Sequence, residues 1–357
     1  MSDSRKEAEE KMAKAIFISA DCWLCVFDLL SLRQLGLGIA LISHRFDYYV
    51  DEHFKTRKWT LEFIRIRSKI RENGTKEMEI VKYFDGEILP IPQISMPRKV
   101  IGFECIEINF IDRNAIAFLH RFCQLFASFC PINLSIYTTN ERILEFILRN
   151  IWPMIAKNIC SIQLLVGIFH CFRKFVPSRF NDLPLLRVVK FFLVDIFPEF
   201  PCDDNAAASD GQVVAKWLFA PRPDNVPKML ICLFHEDDGN WSSKTESIKT
   251  AFASASSPVN FIVVIWFNSS FAHSVVPFVL TNEFTREQFA LKRTDYSYRF
   301  LLIRCPIARD ESKWTKWEEE AIGFRIYYQR NRINIKIYGE EDIGDGLLEA
   351  TPGPSDH

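Results

Sequence analysis

The chain has 357 residues, 48% hydrophobic and 25% charged, the balance of a globular protein with one large or two to three small domains, so disorder, collagen and fibrous repeats are excluded for the whole. Its 44 basic and 45 acidic side chains leave a net charge of -1, which implies no chain-wide attraction to nucleic acid or an anionic membrane. With only 13 Gly, the sequence contains neither GxGxxG nor GxxxxGK[ST], which removes the two commonest phosphate cradles, while 32 Phe point to a large aromatic core.

Residues 1–15 read as a charged, flexible lead-in with no apolar signal region after it, and no uncharged run approaches the roughly 20 residues of a membrane span. A cytoplasmic or nuclear chain without membrane association is expected. The 10 Cys are spread along the chain and fit free thiols better than a disulfide framework.

Over 16–58 the pattern is helical. Cys22, Trp23, Val26, Phe27, Leu29 and Leu30 recur every three to four residues and make one broad apolar face over 21–30. Ser31 and Gln34 form a capping-box pattern, and Leu35, Ile39, Ile42, Phe46 and Tyr49 continue the stripe. Gly36 and Gly38 favour two short helices over one long helix. From 59 to 99 the period changes from 3.6 to 2, and Asn73-Gly74 and Asp85-Gly86 predict a small antiparallel meander, followed by a connector with Pro90, Pro92 and Pro97.

Strand-like and helix-like stretches alternate from 100 to 274. Ile106, Leu134 and Ile162 recur at a fixed spacing of just under 30 residues, as do Ile108, Ile136 and Leu164. A strand and a helix in that length form the unit of an irregular, leucine-rich-repeat-like α/β solenoid, although the consensus LxxLxLxxN is absent. An ordinary parallel α/β domain is the competing fold. If Ile106, Leu134 and Ile162 are buried, then Glu107, Ser135, Gln163 and, one residue early, Lys190 form a row on the opposite face. Asn109, Tyr137 and Leu165 form a second row. In a curved solenoid these rows line a binding surface. A β-rich cap is expected over 275–338, with a short helix at 312–321 and a final pair around Arg330-Asn331, followed by a disordered acidic tail over 339–357.

Catalytic chemistry finds little purchase. Cys22-Trp-Leu-Cys25 lacks both a βαβ context and a second pair at zinc spacing. His235-Glu-Asp-Asp238 reads as a turn with no partner motif, and His44 and His53 read as solvated helix residues. No Ser-His-Asp or Cys-His set can be assembled, so no enzyme, cofactor or metal is expected.

The block 18–46 resembles an F-box. Val26-Phe27, the step from Leu30 to Leu35, and Ile42-Ser43-His44-Arg45-Phe46 match that family's Ile/Val-Phe pair, Leu-x-x-x-x-Leu step and Val-Ser/Cys-x-Arg-Trp/Phe close; Ile18-Ser19 stands where Leu-Pro is usual. With the Arg57-Lys58-Trp59 exit and the repeat-like remainder, the chain is similar to the expanded F-box families of nematodes. The resemblance implies a three-helix module that docks a Skp-type adaptor of a cullin-RING ubiquitin ligase through Ile18, Trp23, Leu24, Val26, Phe27, Leu30, Leu35, Ile39, Ile42 and Phe46. Capture of a target protein then falls to Glu107, Asn109, Ser135, Tyr137, Gln163 and Lys190. The alternatives are a stand-alone protein-binding scaffold, and an enzyme with a pocket near His235.

Overall fold

A computed structural model of the chain describes residues 18–30, 35–56, 59–89, 100–126, 131–165, 167–175, 180, 183–192, 196–205, 207–234, 241–267, 271–296 and 298–348. It divides into two units, Met1–Trp59 and Thr60–His357.

In the first unit, α1 (Ala20–Phe27) starts where the Ser19 hydroxyl accepts from the Cys22 backbone N–H at 3.3 Å. The capping box at Ser31 and Gln34 lies outside the described residues. Where a further regular helix was expected, the chain makes a π-turn, Leu35–Ile39, and a 3-10 turn, Ala40–Ile42; Gly36 and Gly38 weaken a regular helix there. Extended Ser43 ends the turn, and α2 (His44–Thr56) begins with the Phe46 N–H donating to the Ser43 hydroxyl at 3.4 Å. Phe27, Leu35 and Val50 are fully buried between these segments, ringed by half-buried Trp23, Leu24, Leu30, Ile39, Phe46, Tyr49 and Phe54. His53 is not solvated as expected: it is 4% exposed, edge-on to Phe27 at 5.7 Å, with Nε2 3.9 Å from an Asp28 carboxylate oxygen.

The second unit is mixed α/β around a large mixed sheet. Its elements in chain order are β1 (Trp59–Leu61), β2 (Ile64–Ile70), β3 (Lys76–Lys82), β4 (Ile88–Leu89), β5 (Val100–Phe103), β6 (Cys105–Ile108) and α3 (Arg113–Phe126). Next come β7 (Ile132–Ile136), α4 (Glu141–Asn150), α5 (Trp152–Ile155), β8 (Ile159–Leu165), α6 (Ile168–Phe175) and β9 (Val188–Phe192). They are followed by α7 (Asp210–Phe219), β10 (Lys228–Phe234), α8 (Trp241–Ala253), β11 (Phe261–Phe267), β12 (Phe278–Asn282), β13 (Glu287–Arg293), β14 (Arg299–Pro306), α9 (Glu311–Gly323) and β15 (Arg332–Ile335). Among the described residues the main sheet runs β12-β13-β14-β11-β10-β9-β8-β7-β15-β6-β2-β3-β4, and β1 pairs with β5 apart from it.

The meander forms as its turn residues predict, with Gly74 at φ +80° and Gly86 at φ +70°. It does not stand apart, because β2 runs parallel to β6 and so joins the main sheet. The repeat spacing also sets register: Leu134 lies opposite Ile162, and Ile162 opposite Val189. Ile106 and Leu134 are not direct neighbours, however. The strand β15 inserts between β6 and β7, and its Ile333 faces both residues. The segment expected to end the cap as a local pair is therefore an interior parallel strand, so the strand order is not that of an uninterrupted repeat ladder. The alternation Arg332-Ile-Asn-Ile-Lys-Ile337 allows this placement, since three isoleucines enter the helix-covered face while Arg332, Asn334 and Lys336 join the polar one.

One sheet face is covered by the crossover helices. Phe169 of α6 meets Phe191 at 5.0 Å, Phe219 of α7 meets Phe261 at 5.2 Å, and Trp241 of α8 meets Phe267 at 4.9 Å. On the opposite face, at its β9–β14 end, Trp314 and Ala321 of α9 pack on Val188, Met229, Ile231, Ile262, Val264, Leu301, Ile303 and Cys305. Helix α7 occupies a stretch read partly as loop. It starts on a full capping box, Ser209 with Gln212. The acidic tail is ordered as far as Leu348. Ile343 bridges Ile111, Glu340 pairs with Arg142 at 3.1 Å, and Ile343 and Leu348 are buried, so apolar burial outweighs the charge of the segment. Residues 349–357 lie outside the described set.

Lys228, at the start of β10, is 4% exposed. Its ammonium donates to the last carbonyls of α7, Ala220 O at 2.6 Å and Trp217 O. Burial, with Arg222 adding to it, pulls its pKa down to about 7. The unfolded chain then binds more protons than the folded one from about pH 7 up to the ordinary lysine value of 10.5, so stability is expected to rise with pH through that window. Urea unfolding at about pH 7 and about pH 9 measures this rise. In Lys228→Met the part due to this residue should vanish, while every other titration remains.

Candidate functional site

Two places could do work. The first is the surface of the N-terminal unit. Of the residues assigned to docking, Phe27 and Leu35 are 0% exposed and form its core. They cannot touch a partner; their part is to hold the segments together. Trp23, Leu24, Leu30, Ile39 and Phe46 are half-buried, and Trp23 lies edge-on to Phe46 at 4.8 Å. Ile18, Val26 and Ile42 are exposed. So are Leu29, Leu41 and Tyr48, which were not assigned to docking. Cys22 and Cys25 are both exposed thiols on α1, and no metal-binding group of side chains exists among the described residues.

The second place is the polar face of the main sheet. Glu107, Ser135, Gln163 and Lys190 form the expected row, in register across the strands but with Asn334 of β15 inserted between Glu107 and Ser135. Arg65 of β2 extends it on the far side of Glu107. Glu107 is 2% exposed and accepts from Arg65 Nε at 2.6 Å and Lys336 Nζ at 2.6 Å. In such a site the carboxylate neutralises two cations that would otherwise repel each other. Arg65 in turn lies 4.5 Å from the ring centroid of Tyr83, which stacks on Phe63 at 3.9 Å.

Further along, Gln163 Nε2 donates to the Tyr137 hydroxyl at 2.8 Å, and the Tyr137 and Tyr327 hydroxyls are 3.3 Å apart. Burial, and then Tyr327, pushes the Tyr137 phenol up, so it stays protonated. Ser135 and Gln163 are buried at 0% and 1% exposure. They form the floor of the face and are not the open contact row expected of them; the Tyr137 hydroxyl sits on Gln163. Asn109, Tyr137 and Lys190 are half-buried. Gln163 Oε1 and Asn109 Oδ1 are buried acceptors without a donor among the described residues.

The two ends of this face differ electrostatically. At the amino ends of β7, β8 and β9 it borders a cleft of about 410 Å³ lined in part by Asn133, Ser161, Arg187 and Glu320. There Arg187 and Glu320 already neutralise each other through two 2.8 Å hydrogen bonds. Toward the carboxyl ends, Lys190 on β9 has no such carboxylate among the described residues. The residues that sequence reasoning missed, Arg65, Tyr327, Asn334 and Lys336, come from segments read as meander or cap. Only the alternation around Asn334 and Lys336 could have signalled their face. The cluster beginning at His235 lies outside the described residues. No helix among the described residues is long and apolar enough to cross a membrane.

The sequence matches no protein-family model, and neither a curated protein nor a solved structure is significantly similar to it.

Proposed function

We propose that the chain is a non-enzymatic recruiting subunit: the N-terminal unit, read as F-box-like, docks a Skp-type adaptor of a cullin-RING ubiquitin ligase, and the sheet unit, read as a degenerate leucine-rich-repeat-like ladder, holds a target protein. The observation that carries this reading is the apolar surface left outside a small helical unit, with Val26 43%, Leu29 86%, Leu41 76% and Ile42 62% exposed. Such side chains gain when a partner covers them, by roughly 1.5–3 kcal/mol each before the costs of association. The chain itself performs no chemistry in this scheme. It raises the effective concentration of target lysines at the ubiquitin donor.

Calorimetric titration of a purified Skp-type adaptor into the full chain tests the reading, and saturable binding is the expected result. Absence of heat and of co-elution would leave the stand-alone scaffold, which Ile18-Ser19 in place of Leu-Pro favours.

A further inference from the structure

Several buried and half-buried cations elsewhere in the sheet unit are neutralised by carboxylates, whereas buried Lys228 is held by backbone carbonyls. Arg304 pairs with Glu287, Arg187 with Glu320, Arg309 with Glu311 and Glu318, and Arg65 and Lys336 with Glu107. The carboxyl ends of the parallel strands break that pattern. Lys190 of β9 and Arg299 of β14 project on the polar side of the sheet, and Arg325 follows α9 close to both. None of the three has a carboxylate partner among the described residues. Burial first and Arg325 second hold Lys190 below the usual lysine range. Burial also lowers Arg299, with Arg325 acting the same way. Like charges brought together and partly desolvated cost stability, and an anion seated among them removes that cost.

The surroundings narrow the anion's chemistry. The Arg299 guanidinium lies 3.7 Å from the ring centroid of Trp266 and 4.4 Å from that of Tyr296, and gives one N–H to Ile322 O at 3.3 Å. It is thereby fixed in place, and Trp266 remains 37% exposed beside it. Lys190 and Arg299 lie on strands separated by β10 and β11. A ligand that suits this corner brings several negative groups spaced to reach both. An extended acidic peptide supplies them as carboxylates along its length. The carboxyl edge of a parallel sheet is also where α/β folds commonly bind ligands.

We infer that this corner binds an Asp/Glu-rich extended segment of another protein, with its carboxylates on Lys190, Arg299 and Arg325. The inference rests on the reading of the sheet unit as the target-holding part and names the chemistry of the target. The test is fluorescence anisotropy of a labelled oligoglutamate peptide with the full chain, without adaptor, at low and high salt. Oligoglutamine of the same length and an oligothymidylate of the same charge serve as controls. The expected result is salt-sensitive binding of oligoglutamate alone, weakened about five- to tenfold in Lys190→Gln and in Arg325→Gln. Lys190→Met is expected to raise the melting temperature of the free protein while weakening the peptide, which a merely structural lysine would not do. Oligoglutamate bound no better than oligoglutamine, or unchanged by both Gln variants, overturns the inference. Equal binding of oligothymidylate overturns it too, by assigning the cations to nucleic acid. Peptide binding without adaptor binding would sink the ligase reading and leave this one standing; the reverse would sink this one alone.

Discussion

Glu287→Ala is expected to lower stability by about 3–5 kcal/mol, among the largest losses any single substitution outside the aromatic core would cause. Glu287 and Arg304 are 1% and 0% exposed on adjacent strands, β13 and β14. The carboxylate accepts from Arg304 Nη2 at 2.6 Å and Nε at 3.1 Å, and its other oxygen takes the Val259 N–H at 2.7 Å. Without it the guanidinium keeps, among the described residues, Ser257 O at 2.9 Å and the faces of Phe219 and Phe252, each 5.3 Å away. Ring faces and one carbonyl do not offset the desolvation of a full charge. Glu287→Gln combined with Arg304→Met removes both charges yet keeps an acceptor for Val259, so it should recover most of the loss. Chemical denaturation of the two single variants and the double variant measures the coupling. If the double variant were no more stable than Glu287→Ala, the loss would belong to packing rather than to the unpaired charge.

That pair shows what a sequence conceals. The side-chain period of a strand reveals faces, so Ile106, Leu134 and Ile162 on one side and Glu107, Ser135 and Gln163 on the other could be sorted before any coordinates. Period says nothing of which strand lies beside which. The insertion of β15 between β6 and β7 is a closure over more than 200 residues, fixed by Asn331 and Lys336 backbone donors to Phe103 and Ile108 at 2.6 and 2.8 Å. Likewise nothing in the sequence of either strand ties Glu287 to Arg304, and the antiparallel pairing of β13 with β14 makes them partners.

The candidate site was legible to the same depth. All six residues assigned to the polar rows do share one face, because their parity is preserved through the repeat spacing. Their accessibility was not legible, since it depends on partners from segments far away in the chain, as Arg65 and Lys336 are for Glu107. In the N-terminal unit the helical stripe identified apolar positions, but a stripe wider than one contact face is shared between an inner and an outer side. Phe27 and Leu35 went inward; Val26 and Ile42 stayed outside.

That division sets the sharpest expectation for the docking reading. Val26→Asp and Ile42→Asp place a charge on side chains 43% and 62% exposed, so the free protein should melt within a few degrees of wild type. On a covered interface the same charge is desolvated without a partner, and adaptor affinity should fall at least about tenfold for each, with little binding left in the double variant. Phe27→Asp is expected to behave differently. It puts a carboxylate among Leu35, Val50 and the ring of His53, costs about 4 kcal/mol or more, and unfolds the helical unit whether or not a partner exists. Circular dichroism and adaptor titration on the same samples separate the two effects. Full affinity in a folded Val26→Asp, Ile42→Asp double variant would show that the exposed apolar side chains are not the docking surface.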